Sequence, residues 1–526
     1  MDTRIPSPSN SPCIGCTFLS CTACPAAPMT RRGFLASTAS LTAGGLGLTG
    51  FRSTVSARSK DPAHRSPASL PLVVQPVLVY EISKRMPATS WRVWGAVVNE
   101  QEVNEEKQRI NRELAQVRSS AGFPLQILPL ATAQDADQAS MVAKGNHDAV
   151  LMYYISGPYR IMAALTEPGK WSLMFGRHRT GPTCWGYGSV HLRFLRDFVD
   201  DFHEPGMGLE DVVVDSQPEL LWRLRALYGL KNTLGKRIVA VGGPSGVGPV
   251  GKYAPDRSRE LWKLDIVTTP YSELGERIKQ ARQNDALVTR CRNEAEQYLS
   301  QEGIILDVST NKDFVSKSFV LTQVFKDLMD EAKTDAITIN DCMTTIMPIS
   351  ETSACLPLSL LNDEGYSAFC ESDFVVIPSG ILLRYLAGKP VFLNDPTLMH
   401  EGVITLAHCT APRKMDAERY EDARIMTHYE SDFGAAPKVE MKRGQKVTVL
   451  DPDFASRRWM GFEAEIIDNP SLPMCRTQID LQYRGDSDRV NQETKGYHWM
   501  VAYGNYLRET GYALKKVGVD WLNLSA

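Results

Sequence analysis

The chain predicts an α/β protein with two doubly wound parallel-sheet domains, followed by a C-terminal antiparallel, barrel-like β domain. Three observations predict it. Apolar β-rich runs alternate with helix-spaced charged segments between Leu72 and Ile155, the rhythm of a parallel sheet with helices on both faces. A second such cycle runs from Gln217 to Asn340. From about residue 430 the rhythm changes to short strands separated by Gly, Pro and Asp, which favours antiparallel pairing in a barrel-like domain.

In order, Leu72–Tyr80 reads as a strand, Asn99–Ser119 as a helix, Pro124–Leu130 as a strand, Ala133–Lys144 as a helix and Asp148–Ile155 as a strand. The second cycle has helices over Gln217–Leu234, Tyr271–Gln283, Cys291–Gly303 and Lys317–Ala332. Its strands are Lys236–Val241, Leu264–Thr268 and Asp335–Asn340. Val439–Met441, Lys446–Leu450, Met460–Ile467 and Met474–Asp480 are short strands, and Tyr503–Lys516 is a closing helix. The domains implied are a leader and linker over 1–70, an α/β domain over 71–205, a second over 206–400 and the β-rich domain over 401–526.

At 43% hydrophobic and 23% charged residues, the chain can bury a sizeable core. A net charge of −3 supplies no field that would gather nucleic acid, which is not an expected partner. Beyond the leader, no uncharged apolar run reaches the roughly 18–20 residues of a membrane span. The leader itself carries Thr30-Arg31-Arg32-Gly33-Phe34-Leu35, a mildly apolar stretch from Ala36 to Phe51, and small residues at Val55-Ser56-Ala57. This is the pattern of a twin-arginine export signal, so a periplasmic or extracytoplasmic location is expected. Cys13/Cys16 and Cys21/Cys24 form two CxxC pairs too close together for a folded knuckle. They precede Met29, which is favoured over Met1 as the start of translation. The other seven cysteines are scattered and odd in number, so they read as buried thiols rather than a disulfide framework. Gly246–Lys252 approaches a P-loop, but Tyr253 replaces the Mg²⁺-binding hydroxyl and Pro249 removes an N–H, so the segment reads as a sheet-edge loop.

Chemistry concentrates between Ala336 and Pro412. Asn340, Asp341, Glu371, Asp373, Asn394, Asp395 and His408 each follow an apolar run, and ligands of parallel sheets bind beyond the carboxyl ends of strands. Oxygen donors of this kind suit Mg²⁺ or Mn²⁺, and an added imidazole favours Mn²⁺. The order CMTT…CLPLSLLNDEGYSAFCESD…LAGKPVFLNDP…AHCTAP, with Gly496-Tyr497-His498-Trp499 downstream, resembles the C-terminal half of the L-fucose/L-arabinose isomerase superfamily.

The resemblance implies a divalent metal held by Asp373 and His498, a homo-oligomer and a sugar substrate. It also implies a glutamate about two dozen residues before Asp373. Strict counting lands on Ile349, and Glu351 is the nearest glutamate. Met343-Thr344-Thr345 stands where many relatives have Trp-Pro-Glu. The expected activity is aldose–ketose isomerisation through an enediol, with Glu351 and Asp373 as the proton-transferring pair. Glu351, Asp373 and His498 complete the metal shell, and Glu371, His408 and Asp341 are further site candidates. The alternative is an exported glycoside-cleaving enzyme, or a non-catalytic carbohydrate-binding protein, on the same scaffold.

Overall fold

The first sheet is built on β1 (Leu72–Val79), which is buried along nearly its whole length. A strand covered on both faces reads as a near-continuous apolar run, interrupted here only by Gln75-Pro76. The computed structural model describes residues 69–525 apart from Asp197 and Phe198, and these belong to one compact unit. The twin-arginine segment and the four N-terminal cysteines lie outside the described residues.

Around β1 lie β2 (Leu125–Ile127), β3 (Ala131–Ala133), β4 (Ala149–Tyr154), β5 (Trp171–Gly176) and β6 (Val212–Val214). The order is β2-β1-β4-β5-β6, with β3 also on β1, and every pairing is parallel. The charged helix Glu100–Ser119 covers this sheet through Val103, Ile110, Leu114 and Val117. Asn99 caps its start by accepting from the Glu102 N–H, a contact worth about 1 kcal/mol.

The second sheet has β7 (Arg237–Val241), β8 (Asp265–Thr269), β10 (Ala336–Ile339) and β11 (Ser367–Phe369) in the order β11-β10-β7-β8, again all parallel. The chain leaves β7 for β8 on one side and returns to β10 on the other. The carboxyl ends of β7 and β10 therefore flank a topological switch point, the usual place for a ligand.

Six strands close into an antiparallel barrel. They are β12 (Phe392–Pro396), β13 (Val403–His408), β16 (Lys446–Pro452), β17 (Arg458–Asp468), β18 (Thr477–Gln482) and β19 (Trp499–Tyr503). The ring runs β16-β19-β12-β13-β18-β17 and back to β16. Phe462 packs edge-on against Trp499 inside it, with ring centroids 5.8 Å apart. β20 (Asp520–Asn523) adds to β17 in parallel. The barrel thus takes in β12, which the sequence reading places with the second α/β domain.

Two strands between β13 and β16, β14 (Asp422–Met426) and β15 (Ala436–Glu440), leave the ring. They pair with each other, and β14 pairs in parallel with β9 (Ile304–Leu306), so the second α/β region and the β-rich region share a three-stranded sheet. The buried Trp262 and Trp459 rings, 5.2 Å apart, add another seam between them.

The helix Ile377–Ala387 fixes the strands that carry the site. A Cβ at Gly380 would sit 2.6 Å from both Met500 and Phe369, so only glycine lets β11 and β19 approach the helix this closely. Among the described residues, no helix is long and apolar enough to cross a membrane.

Candidate metal centre

Asp373 lies just past the end of β11, after two consecutive left-handed residues, Glu371 (φ 62°) and Ser372 (φ 46°). A non-glycine residue in that region costs on the order of 1 kcal/mol or more, and such strain clusters at functional sites. The turn is held by the loop after β7. Ser245 N–H donates to Ser372 O at 3.1 Å and Phe374 N–H to Ser245 O at 3.1 Å. The Gly246–Lys252 segment is therefore not a sheet-edge loop, because β7 is an internal strand and Val247 N–H reaches the Asp373 carboxylate at 3.3 Å.

The Asp373 side chain is only 1% exposed. Its Oδ1 accepts from Val247 and Val375 N–H, and its Oδ2 accepts from His498 Nδ1 at 2.8 Å. His498, just ahead of β19, directs its other nitrogen, Nε2, toward Asp395 Oδ1 (3.2 Å) and Glu371 Oε2 (3.4 Å). His408 ends β13, with Nε2 3.6 Å from Glu371 Oε1 and Nδ1 tied to Thr410 Oγ1 at 3.0 Å. The two imidazole rings stand edge to face, 5.9 Å apart.

Both histidines thus have Nδ1 fixed by a neighbour and Nε2 turned to the same carboxylates. This is the orientation that outer partners impose on metal-ligating histidines. One ligand atom each from Asp395, His408 and His498 lie within 4.8 Å of one another, as do those of Cys370, Glu371 and His408. The chain therefore holds His/Asp/Glu/Cys groups able to bind a metal.

The acids and imidazoles polarise each other. Burial opposes ionisation of Glu371, yet the His408 hydrogen bond and the His408, His498 and His428 charges hold its carboxyl down at about 2. Burial would lower His498, but hydrogen bonds to Asp373 and Asp395 and the Glu371 charge outweigh it and raise it to about 10. His408 is raised the same way, with burial opposed by Glu371 and Asp395. Asn394 Oδ1 and Ser372 Oγ, each beside a site carboxylate in sequence, are buried without a hydrogen-bond partner.

Of the residues expected from sequence, Asp373 and His498 meet, and Glu371 and His408 join them. Glu351 does not. Its side chain is 52% exposed and is held by Arg282 (2.8 Å) and Lys317 (3.0 Å), two helix-borne cations that draw it to the surface. It belongs to none of the metal-competent groups among the described residues. Asp341 is exposed and spends its carboxylate on the Thr344 and Thr345 hydroxyls of the short helix that follows. Asp395 takes the place expected of Glu351. Its only sequence signal is its position after the apolar run Val391–Leu393.

No protein-family model matches the chain, and no curated protein shows significant similarity to it.

Proposed function

We propose that the protein is an exported, metal-dependent enzyme acting on a sugar, of the aldose–ketose isomerase kind. The convergence of Glu371, Asp395 and His408 near the carboxyl ends of their strands with His498 just ahead of β19 carries this reading, and the resemblance of the C-terminal half to sugar isomerases supports it. The donor set fits a divalent cation. His408 Nε2, His498 Nε2, Glu371 and Asp395 would hold it, and two carboxylates with two imidazoles suit Mn²⁺ better than Mg²⁺. When bound, such an ion supplies positive charge to adjacent sugar oxygens.

Asp373 is a positioning residue, because its oxygens are already used by two backbone N–H groups and by His498. Glu371 and Asp395, with side chains 40% and 48% exposed, are the acids a sugar can reach. In this reading Glu371 takes the proton from C2 of the aldose, exchanges it with solvent at the enediol stage and delivers a proton to C1, while Asp395 carries the hydroxyl proton from O2 to O1. They replace the Glu351/Asp373 pair.

One observation favours a second reading, in which the site binds or cleaves a glycoside without isomerisation. The glutamate that the isomerase pattern supplies is engaged elsewhere, by Arg282 and Lys317. Incubating Mn²⁺-loaded protein in D₂O with a panel of aldoses separates the two. Isomerisation incorporates solvent deuterium at C1 of the ketose, and Glu371→Gln should slow it by about 100-fold or more. Saturable sugar binding without any exchange would leave the second reading.

A further inference from the structure

Beside the oxygen–nitrogen cluster lies a separate group of sulfur donors. Cys355 opens the helix Cys355–Asp363, Cys409 follows His408 at the end of β13, and His428 lies beyond β14. All three are buried, and one ligand atom from each lies within 4.8 Å of the other two. Cys475, ahead of β18, is partly buried and lies against Cys409 at the edge of this trio. Three segments spread over the C-terminal half thus bring two thiols and one imidazole together, with the thiol of Cys475 beside Cys409 as a fourth donor within reach.

The surrounding backbone is stitched as a binding shell would be. Leu356 N–H and Ser353 Oγ both donate to Ala435 O, at 3.1 and 2.7 Å. Arg476 Nε donates to Thr427 O at 2.6 Å, tying the Cys475 strand to the His428 turn. His428 Nδ1 is 3.2 Å from Ser431 Oγ, which leaves Nε2 for a ligand role. The Cys355 contact and burial hold the Cys409 thiol protonated in the metal-free chain, while the Arg476 backbone N–H points at its sulfur.

We propose that Cys355, Cys409, Cys475 and His428 form a second metal site, taking a thiophilic divalent cation such as Zn²⁺ in a three-thiolate, one-imidazole shell. Such a closed set of four ligands is structural rather than catalytic. Binding would release the three thiol protons to solvent and leave three thiolates on the ion. The bound ion would fasten Cys409, and with it the neighbouring His408, to the helix at Cys355. The proposal does not depend on the sugar reading, because no residue is shared between the two donor sets.

Co²⁺ titration of the reduced, metal-free full chain tests it. Thiolate ligation gives an intense sulfur-to-cobalt charge-transfer band that oxygen and nitrogen donors cannot produce. The band should saturate with one equivalent and disappear on addition of Zn²⁺. It should fall by roughly a third in Cys475→Ser, the partly exposed and most tolerant position, and persist in Cys342→Ser and Cys370→Ser. The proposal is overturned if the band is missing in the reduced wild type, or if Cys370→Ser removes it while Cys475→Ser does not. It is equally overturned if protein purified without reductant has lost a pair of these thiols to a disulfide. A protein that gives the band yet turns over no sugar would keep this site and fail the sugar reading.

Discussion

Two clusters of buried charge sit beyond the carboxyl ends of the two parallel sheets, and they are built on opposite terms. Past β5, the guanidinium of Arg177 is fully buried. It pairs with Glu106 at 2.6 Å and Glu113 at 2.8 Å, while Arg109 and the Tyr187 hydroxyl complete Glu106. Two acids meet two bases, and every carboxylate oxygen is already engaged by a donor of the network. Past β11, three carboxylates (Glu371, Asp373, Asp395) face two imidazoles, and two of the three are partly open to solvent. A balanced network holds a fold together, whereas an acid-rich one with oriented imidazoles waits for a cation. Position on an α/β sheet does not separate the two; stoichiometry of charge does.

The comparison is broken most easily at Arg177. Arg177→Met keeps the length of the side chain but takes the guanidinium from buried Glu106 and half-buried Glu113, which should cost about 3 kcal/mol of stability. Chemical denaturation should show this loss, with metal affinity of the folded protein unchanged. A similar loss of metal affinity would mean that the clusters are coupled and the contrast is false.

The second cluster should respond the other way. His498→Ala or His408→Ala should weaken Mn²⁺ binding by more than about 100-fold, beyond the 10–100-fold expected of an outer partner such as Asp373→Asn. Calorimetric titration ranks the three variants. If Asp373→Asn is as severe as the histidine losses, Asp373 is itself a ligand.

Protonation sharpens the contrast further. His498 is raised in the folded chain, so its contribution is fully present below the unfolded value near 6.5 and is lost as pH rises through about 10. Glu371 is depressed, so its contribution is present above the unfolded value and is lost as pH falls toward about 2. Metal-free wild type should therefore lose stability relative to His498→Ala on going from pH 6 to pH 10. Parallel curves for the two proteins would contradict the proposed charge pairing.

These contrasts also mark what was readable from the residues alone. Parallel sheets were legible because buried strands such as β4 are unbroken apolar runs and β1 is broken only at Gln75-Pro76, and β16 to β18 because turn residues punctuate them. β12 was not, since Phe392–Pro396 looks like another α/β strand, and one of its two barrel partners, β19, lies more than a hundred residues away. Asp373 and His498 were reached through a family resemblance. Glu351 was misplaced by the same route, because a spacing argument cannot see Arg282 and Lys317 pulling the carboxylate outward. The sulfur cluster has no local spacing signature, since its four members come together only when β14 and β15 fold back onto β9. The smallest effect follows from this error. Glu351→Gln should leave metal affinity and turnover within about threefold and cost at most about 1 kcal/mol, as for an exposed ion pair.

The central claim is that two imidazoles, each held by its Nδ1, present Nε2 to one divalent cation. Pulsed electron paramagnetic resonance of stoichiometrically Mn²⁺-loaded protein reads this directly, because each coordinated imidazole imprints a nitrogen coupling on the ion. The account predicts couplings from two histidines in the wild type, with one lost in His408→Ala and one in His498→Ala under conditions where the ion remains bound. A saturable Mn²⁺ signal without nitrogen coupling, or one indifferent to both substitutions, would contradict it.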